Sequence, residues 1–426
     1  MTSSHLDAKG RPIVVVTGTG VLTSLGRGRE DNWRALTAGK SGIRRISRFP
    51  IEGLKTTFAG TVDYLNVSEP SAPAMSQRAA EIVIEEAITE AGIGTRGNFP
   101  GPLFLALPPV EMEWPQRQAL AAASGKNKAI DYSDLLRAAT AADFTPYYRR
   151  FLFGSVAEHL ADTFGTKGSP IAISTACASG ATAIQQGVEA IRRGETEVAL
   201  CAGTDASVNP ESLIRFSLLS ALSTRNEDPA TAARPFSKDR DGFVMSEGAG
   251  ALVLESLAHA KARGAHILGV LEGCGEKSDG FHRTRSSPDG KPIIACMRRA
   301  LEDAGADPDS VDYVNAHGTG TPENDKMEWL GIASVFGERA ARLPVSSNKS
   351  MIGHTLTAAG AVEAIFSILT MRHGRIPPTI NYETPDPAVP VDCVPNHFRD
   401  AVVTRTISNS FGFGGQNVCL VLGLEP

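Results

Sequence analysis

Two stretches of this chain follow one plan. Residues 170–194 (PIAISTACASGATAIQQGVEAIRRG) and residues 343–374 (LPVSSNKSMIGHTLTAAGAVEAIFSILTMRHG) each run from a short strand through a polar turn into a small-residue helix containing VEAI, then stop at Gly. A helix that is small or apolar on most of its faces has no side to turn to water, so it belongs inside the protein rather than on its surface. Two such helices, each fed by a strand, point to an internal duplication in an α/β fold. The joint is expected near HAKARGAHILG, between a half spanning residues 11–258 and a half spanning residues 266–424.

The rest of the chain keeps the alternation. PIVVVTG, EVALCAG, GALVLES, VDYVNAH and NVCLVLG read as further strands, and helices are expected over Gln77 to Ala91, Ala178 to Arg193 and Ala359 to Arg372. With 42 basic and 47 acidic residues and no sustained Lys/Arg cluster, neither nucleic acid nor an anionic membrane is an expected partner. No stretch approaches the ~18 uninterrupted apolar residues of a membrane span. The opening MTSSHLDAKGRP lacks the basic-then-apolar order of a secretory signal, and the six cysteines form no CxxC pair, so a cytoplasmic protein with free thiols is expected.

One of those thiols stands apart. Cys177 sits where the first strand turns into its buried helix, where the helix dipole and free N–H groups are expected to favour a thiolate. Cys201, Cys274, Cys296, Cys393 and Cys419 read as small core residues. Among the histidines, His317 in NAHGTGTPEND follows a strand and His354 in SSNKSMIGHTLTAAG precedes a small-residue helix. Three chemically capable side chains at strand ends fit the rule that open α/β sheets build sites at their carboxyl edges. Their donor types would suit zinc, but the 317-to-354 separation lies outside local ligand spacings and a closed metal would quench the nucleophile, so no metal is expected. VTGTGVLTSLG offers Gly18 and Gly20 after a strand, yet position 23 is Thr where a dinucleotide fingerprint needs a third glycine. These glycines are expected to make a tight first turn, and no nucleotide site follows.

TACASG, NAHGTGTPENDKME, SSNKSMIGHTLTAAGAVEAI and NSFGFGGQN, in this order, resemble the signature segments of the β-ketoacyl-acyl-carrier-protein synthases, the condensing enzymes of fatty acid and polyketide synthesis. The resemblance implies a thiolase-like fold of two duplicated halves in five αβαβα layers, an elongating acyltransferase, and a homodimer, with a heterodimer as the alternative. It implies Cys177 as the acyl-accepting nucleophile and His317 and His354 as donors to the malonyl thioester carbonyl. Lys349 would organise the site through Asp325 and Glu363. Phe413, between Gly412 and Gly414, would act as acyl gate and, with Cys177, supply oxyanion N–H groups. Asp279 and His282 would belong to a second gating loop, and Thr319 and Thr321 would hold the pantetheine arm. No cofactor is required beyond the phosphopantetheine of the acyl carrier protein partner.

Residues 101 to 153 depart from the family's glycine-rich turn. The helix expected to dock the carrier offers only Arg78 as a basic group, unless Arg149, Arg150 or Arg215 relocate the patch. A specialised carrier or acyl chain is therefore expected. A polyketide ketosynthase is the alternative within this chemistry. A chain-length-factor-like partner would lack the nucleophile, and a thiolase would need a second cysteine near NSFGFGG.

Overall fold

The computed structural model describes residues 5–68, 70–125, 130–141 and 143–426. Its first half contributes strands β1 (Val14–Thr23), β2 (Leu103–Ala106), β3 (Ile171–Ile173), β4 (Val198–Asp205) and β5 (Gly248–Ser256) in the order β3-β2-β4-β5-β1. The second half contributes β6 (Gly269–Ser278), β7 (Tyr313–Asn315), β8 (Val345–Ser346), β9 (Arg405–Phe411) and β10 (Gln416–Gly423) in the order β8-β7-β9-β10-β6. Each half reads parallel, parallel, antiparallel, antiparallel along that order, so the duplication seen in two segments extends to all ten of these strands. The half-sheets join through the antiparallel pairing of Val14, Val15 and Val16 with Leu271, Val270 and Gly269.

Helices α1 (Ala72–Ala91), α2 (Ser179–Arg192), α3 (Pro210–Leu218), α4 (Lys291–Ala304), α5 (Pro322–Phe336) and α6 (Ala359–His373) complete the frame. On the first half-sheet α1 packs against β1, β5 and β4; on the second, α4 packs against β6 and β10, with α5 beside it. Between the half-sheets lie α2 and α6, touching each other and strands of both halves, which gives the five layers. As the all-round apolar pattern requires, α6 is buried from Ala359 to Met371.

The two middle helices cross at their glycines. A methyl group on Gly180 would stand 2.6 Å from the Ala361 nitrogen, and one on Gly360 would meet Ala181 nitrogen closer still. Each half thus supplies a Gly-Ala pair that lets backbone meet backbone, and the crossing fixes how the turns before α2 and α6 face each other. Gly18 and Gly20 serve a related purpose, contrary to the expected tight turn. They lie within β1, where added methyl groups would strike the Ala87 and Val83 carbonyl oxygens of α1. That helix starts earlier than expected because the Ser71 side chain accepts from Ala74 N–H and Pro73 fits its first turn. Residues 101 to 153 form β2 and three short helices, Trp114–Ala123, Tyr132–Ala141 and Thr145–Arg150. No helix among the described residues is long and apolar enough to cross a membrane.

Candidate active site

The turn from β3 into α2 is tightly specified. Ala176 takes φ 48°, a left-handed conformation costly for a residue with a Cβ. Ser179 Oγ holds it by donating to the Ala176 carbonyl (2.6 Å) and accepting from Thr175 N–H (2.8 Å). Cys177, at the apex, is partly exposed to a cavity, while the dry protein around its sulfur pushes the thiol up to about 11. The backbone N–H groups of Phe413 and Cys177 and the Lys349 charge act in the opposite direction but do not overcome burial. The helix end therefore does not produce the expected resting thiolate: at pH 7 the ionised fraction is on the order of 10⁻⁴.

His317 and His354 come from the other half. One ligand atom of each, with Cys177 Sγ, forms a group whose members all lie within 4.8 Å of one another. The two imidazoles meet edge to face at 5.2 Å between centroids, walled by Phe411 beside His317 and Phe243 beside His354. Burial, and then the Lys349 charge, hold both well below the usual histidine range, so both are neutral at pH 7. They differ in their bonds. His354 Nδ1 accepts from Leu356 N–H (3.2 Å), which places its proton on Nε2, and that nitrogen is buried with no partner among the described residues. It is a donor awaiting an acceptor. His317 has an unpartnered Nδ1, so no hydrogen bond there fixes which nitrogen carries its proton.

Behind them lies a buried charge cluster. Lys349 Nζ pairs with Glu363 Oε1, both side chains almost fully enclosed, and burial raises the Glu363 carboxyl to about 7 against the pull of Lys349. Asp325 belongs to a different group: it accepts from Phe236 N–H (2.7 Å) and Gly320 N–H (3.1 Å) and faces Arg240 Nε at 3.6 Å. It thus anchors the Gly-rich turn after His317. Glu328 escaped the sequence reading, although it ends the NAHGTGTPENDKME segment. Its carboxylate takes the N–H groups of His317 (2.8 Å) and Gly318 (2.7 Å) and the Asn409 side chain (3.0 Å), clamping the histidine backbone from α5. Its signal was its spacing: eleven residues after His317 puts it on the inward face of the following helix. Asp205, at the end of β4, was also missed; it accepts from Thr357 Oγ1 (2.8 Å) and so ties β4 to the turn before α6.

The cavity containing these groups encloses about 450 Å³. Phe413, Gly412, Gly414, Asp279, His282, Thr319 and Thr321 all line it. Gly414 and Gly415 have φ of 91° and 87°, and a Cβ on Gly415 would collide with the Asp279 carbonyl, so this turn requires glycine. Asp279 fastens the adjoining loop: its N–H donates to the Gly415 carbonyl (2.7 Å), and its carboxylate accepts from Phe281 (3.0 Å) and Ser287 (2.7 Å) N–H groups. His282, by contrast, is exposed at the rim. Thr319 and Thr321 share a 2.9 Å hydroxyl contact, and Thr321 also caps α5. Inward of Phe413 lies a packed apolar cluster that includes Leu213, Leu222, Phe243, Met245 and Leu356, of which Phe243 and Leu356 also line the cavity. Elsewhere, Arg149 and Arg150 line a separate groove with Arg78, whereas Arg215 pairs with Glu111. The 101–153 segment therefore brings two arginines back beside α1.

A nucleophilic thiol and two neutral imidazoles in a cavity with an apolar wall, divided between two duplicated halves, define a thiolase-like condensing enzyme. Residues 11–260 match the N-terminal domain of beta-ketoacyl synthase and residues 268–383 its C-terminal domain; the chain belongs to the beta-ketoacyl synthase family and is an acyltransferase of the condensing class. It is 37% identical over 417 residues to a 3-oxoacyl-[acyl-carrier-protein] synthase 2 of Coxiella burnetii, covering 96% of this chain and 98% of that protein. It is 35% identical over 418 residues to the ketoacyl synthase alpha subunit of the tetracenomycin polyketide synthase of Streptomyces glaucescens, covering 96% of each. Among solved structures it resembles a type II polyketide ketosynthase in complex with its acyl-carrier protein (TM-score 0.85, 34% identity, 97% and 99% of the two chains). A beta-ketoacyl synthase from Burkholderia phymatum is similarly close (TM-score 0.82, 32% identity, 97% and 99%).

Proposed function

We propose that the protein extends an acyl chain by two carbons through decarboxylative condensation with a malonyl group, both delivered on an acyl carrier protein. The observation that carries this reading is the placement of Cys177 Sγ within 4.8 Å of ring nitrogens of two neutral histidines. Cys177 attacks the acyl thioester as a thiol that loses its proton during attack, since burial disfavours a standing thiolate. His317, with its tautomer unfixed, takes that proton and returns it to the departing pantetheine sulfur. The acyl chain rests along the apolar wall of the cavity, which Phe216, Leu219, Phe243 and Leu356 form beside Phe413. When malonyl-carrier enters, its carboxylate leaves as carbon dioxide and the electron pair remains as an enolate, whose oxygen accepts from His354 Nε2–H and from His317. The enolate carbon attacks the acyl-Cys177 carbonyl, whose developing negative charge is met by the Cys177 and Phe413 N–H groups. Collapse expels the sulfur, which regains a proton. These steps call on no metal and no organic cofactor beyond the carried pantetheine.

Burial, and after it the Lys349 charge, keep both imidazoles neutral, Glu363 holds Lys349 in place, and Thr319 and Thr321 line the path of the arm. The acting form is a homodimer in the cytoplasm. Incubating the protein with acyl-carrier and digesting it tests the core of the reading: the acyl mass is expected on the Cys177 peptide, and malonyl-carrier should then discharge it with one carbon dioxide per product. Acylation elsewhere, or discharge without carbon dioxide, refutes it.

A further inference from the structure

Asp205 is a buried carboxyl group that the condensation chemistry does not touch. It ends β4, in the half of the molecule that carries Cys177, and no cation pairs with it among the described residues. Burial raises its carboxyl against the pull of the hydrogen bonds it receives, so the fold keeps this group at a cost. One oxygen accepts from the N–H (3.0 Å) and the hydroxyl of Ser207, which fixes the carboxylate itself. The other accepts from Thr357 N–H at 3.2 Å and shares the Thr357 hydroxyl proton with the Thr204 carbonyl, each 2.8 Å from that hydroxyl. Thr357 belongs to the opposite half and lies three residues after His354.

Between His354 and Thr357 the backbone is strained. Leu356 takes φ 46°, a conformation that residues with a Cβ avoid. Its N–H, 3.2 Å from His354 Nδ1, is the group that places the histidine proton on Nε2. Turning the Thr355–Leu356 peptide plane over would relieve the strain, since such a flip reverses the sign of φ at the following residue, as it does between turn types I and II. The flip would also aim the Thr355 carbonyl, in place of Leu356 N–H, at Nδ1. The ring proton would then sit on Nδ1, and Nε2 would offer the enolate oxygen a lone pair instead of a hydrogen. Both ends of this stretch are pinned against that change. At one end His354 N–H donates to the Val244 carbonyl (2.7 Å) and its carbonyl accepts from Ser246 N–H (2.9 Å). At the other end stands Asp205. Its cross-strand neighbour Gly248 completes the seat, because a methyl group there would lie 3.0 Å from Thr355 Cγ2.

We propose that Asp205 is a positioning residue for His354: by anchoring Thr357 it holds the Thr355–Leu356 peptide in the orientation that keeps the imidazole an Nε2–H donor to the enolate oxygen. The inference rests on the function proposed above and adds a control on the malonyl half-reaction, exerted from the half of the fold that carries the nucleophile. Asp205 acts through the turn alone, so its removal should spare the step in which Cys177 is acylated.

The test reads the tautomer directly. With histidine isotopically labelled at its ring nitrogens, nuclear magnetic resonance tells protonated from unprotonated nitrogen, and the His354 signals are those missing from His354→Asn. The wild type should show Nε2 protonated and Nδ1 bare, and Asp205→Ala should move the proton to Nδ1. The same variant should slow carbon dioxide release from malonyl-carrier by a factor on the order of 100, as for loss of one oxyanion donor, with acylation of Cys177 held within about threefold. Thr357→Val removes the anchoring hydroxyl at constant bulk and should shift both readouts in the same direction but less far, and Thr357→Ser should restore them. These two variants leave the Ser207 bonds of Asp205 in place, so they carry the test if Asp205→Ala does not fold. A wild-type tautomer in either Asp205→Ala or Thr357→Val overturns the proposal. So does equal slowing of both half-reactions, which would make Asp205 a brace for the whole site, or a Thr357→Ser protein as impaired as Thr357→Val. The tautomer is measured on the resting protein, so a wild type that shows it yet releases no carbon dioxide would count against the proposed condensation and not against the role of Asp205 in setting the tautomer.

Discussion

Replacing Gly180 by Ala tests the claim that the α2–α6 crossing sets the active site. The added methyl would lie 2.6 Å from the Ala361 nitrogen, 3.1 Å from the Thr357 oxygen and 3.2 Å from the Gly360 nitrogen, all backbone atoms of the facing helix and the turn before it. Ordinary contact needs roughly 3.5 Å, so the helices must separate by about 0.9 Å. Neither can give way easily, because α6 is enclosed along nearly its whole length between the half-sheets. Overpacking of this kind costs about 1–3 kcal/mol, and a backbone collision belongs at the upper end. The catalytic cost is larger in proportion. Cys177 stands three residues before Gly180 and the histidines ride with the other half, so the separation opens the 4.8 Å group directly. A displacement of about 1 Å at reacting groups lowers rate by roughly 100-fold. Thermal melting should fall by several degrees and condensation by about two orders of magnitude, with acylation of Cys177 less affected because it needs no alignment with His354. Gly154→Ala is the control: its φ is −78° and its methyl would meet only a Glu158 oxygen at 3.9 Å. Unchanged melting and condensation in Gly180→Ala would refute the reasoning.

Other outcomes follow from the site. Cys177→Ala should abolish condensation with melting unchanged, and iodoacetamide should label Cys177 before Cys274 or Cys393, which burial pushes up to about 12; preferential labelling of another cysteine, read by peptide mass, would count against its role. His354→Asn should slow carbon dioxide release by a factor on the order of 100 and spare acylation of Cys177, whereas His317→Asn should slow both half-reactions; identical profiles would contradict the asymmetry drawn from their bonds. Lys349→Met leaves Glu363 buried without its cation and should cost about 3–5 kcal/mol in urea unfolding, with part recovered by adding Glu363→Gln. Stability should be highest above pH 6.5 as far as the histidines are concerned. Below that, the unfolded chain binds protons that His317 and His354 refuse until their depressed folded values are reached, so stability falls by up to about 2.7 kcal/mol per pH unit, a loss that His317→Asn with His354→Asn should remove.

The positions of Cys177, His317 and His354 were legible because each lies in a junction whose composition is abnormal for its surroundings, small residues around a thiol and Gly and Thr around imidazoles, whereas Lys349 was reached only through the family resemblance. The duplication was legible from α2 and α6, the two helices that are small or apolar on most of their faces. β7 and β8 were read as strands, but their order in the sheet was not, because strands of three and two residues carry no pairing signal and β7 pairs with β9, far along the chain. Charge partners were the least readable. Asp325 and Glu328 are three residues apart on one helix, and only its rotation decides that the first meets Arg240 and the second the His317 backbone. The Cys177 ionisation was misread because a helix dipole can be inferred locally, whereas dryness is a property of the whole surroundings. Gly18 and Gly20 looked like turn glycines because their partner, α1, lies more than sixty residues away.

A thiol that stays protonated until substrate arrives has a consequence for the cell's oxidants. Peroxide reacts with thiolate, so a sulfur held at about 11 and fronted by the Phe413 turn presents little to attack between turnovers. The exposed moment comes when the sulfur is expelled at the end of condensation, before it regains a proton. Oxidative inactivation should then scale with the number of catalytic cycles completed rather than with hours of exposure, and an idle enzyme should survive a peroxide pulse that disables a working one.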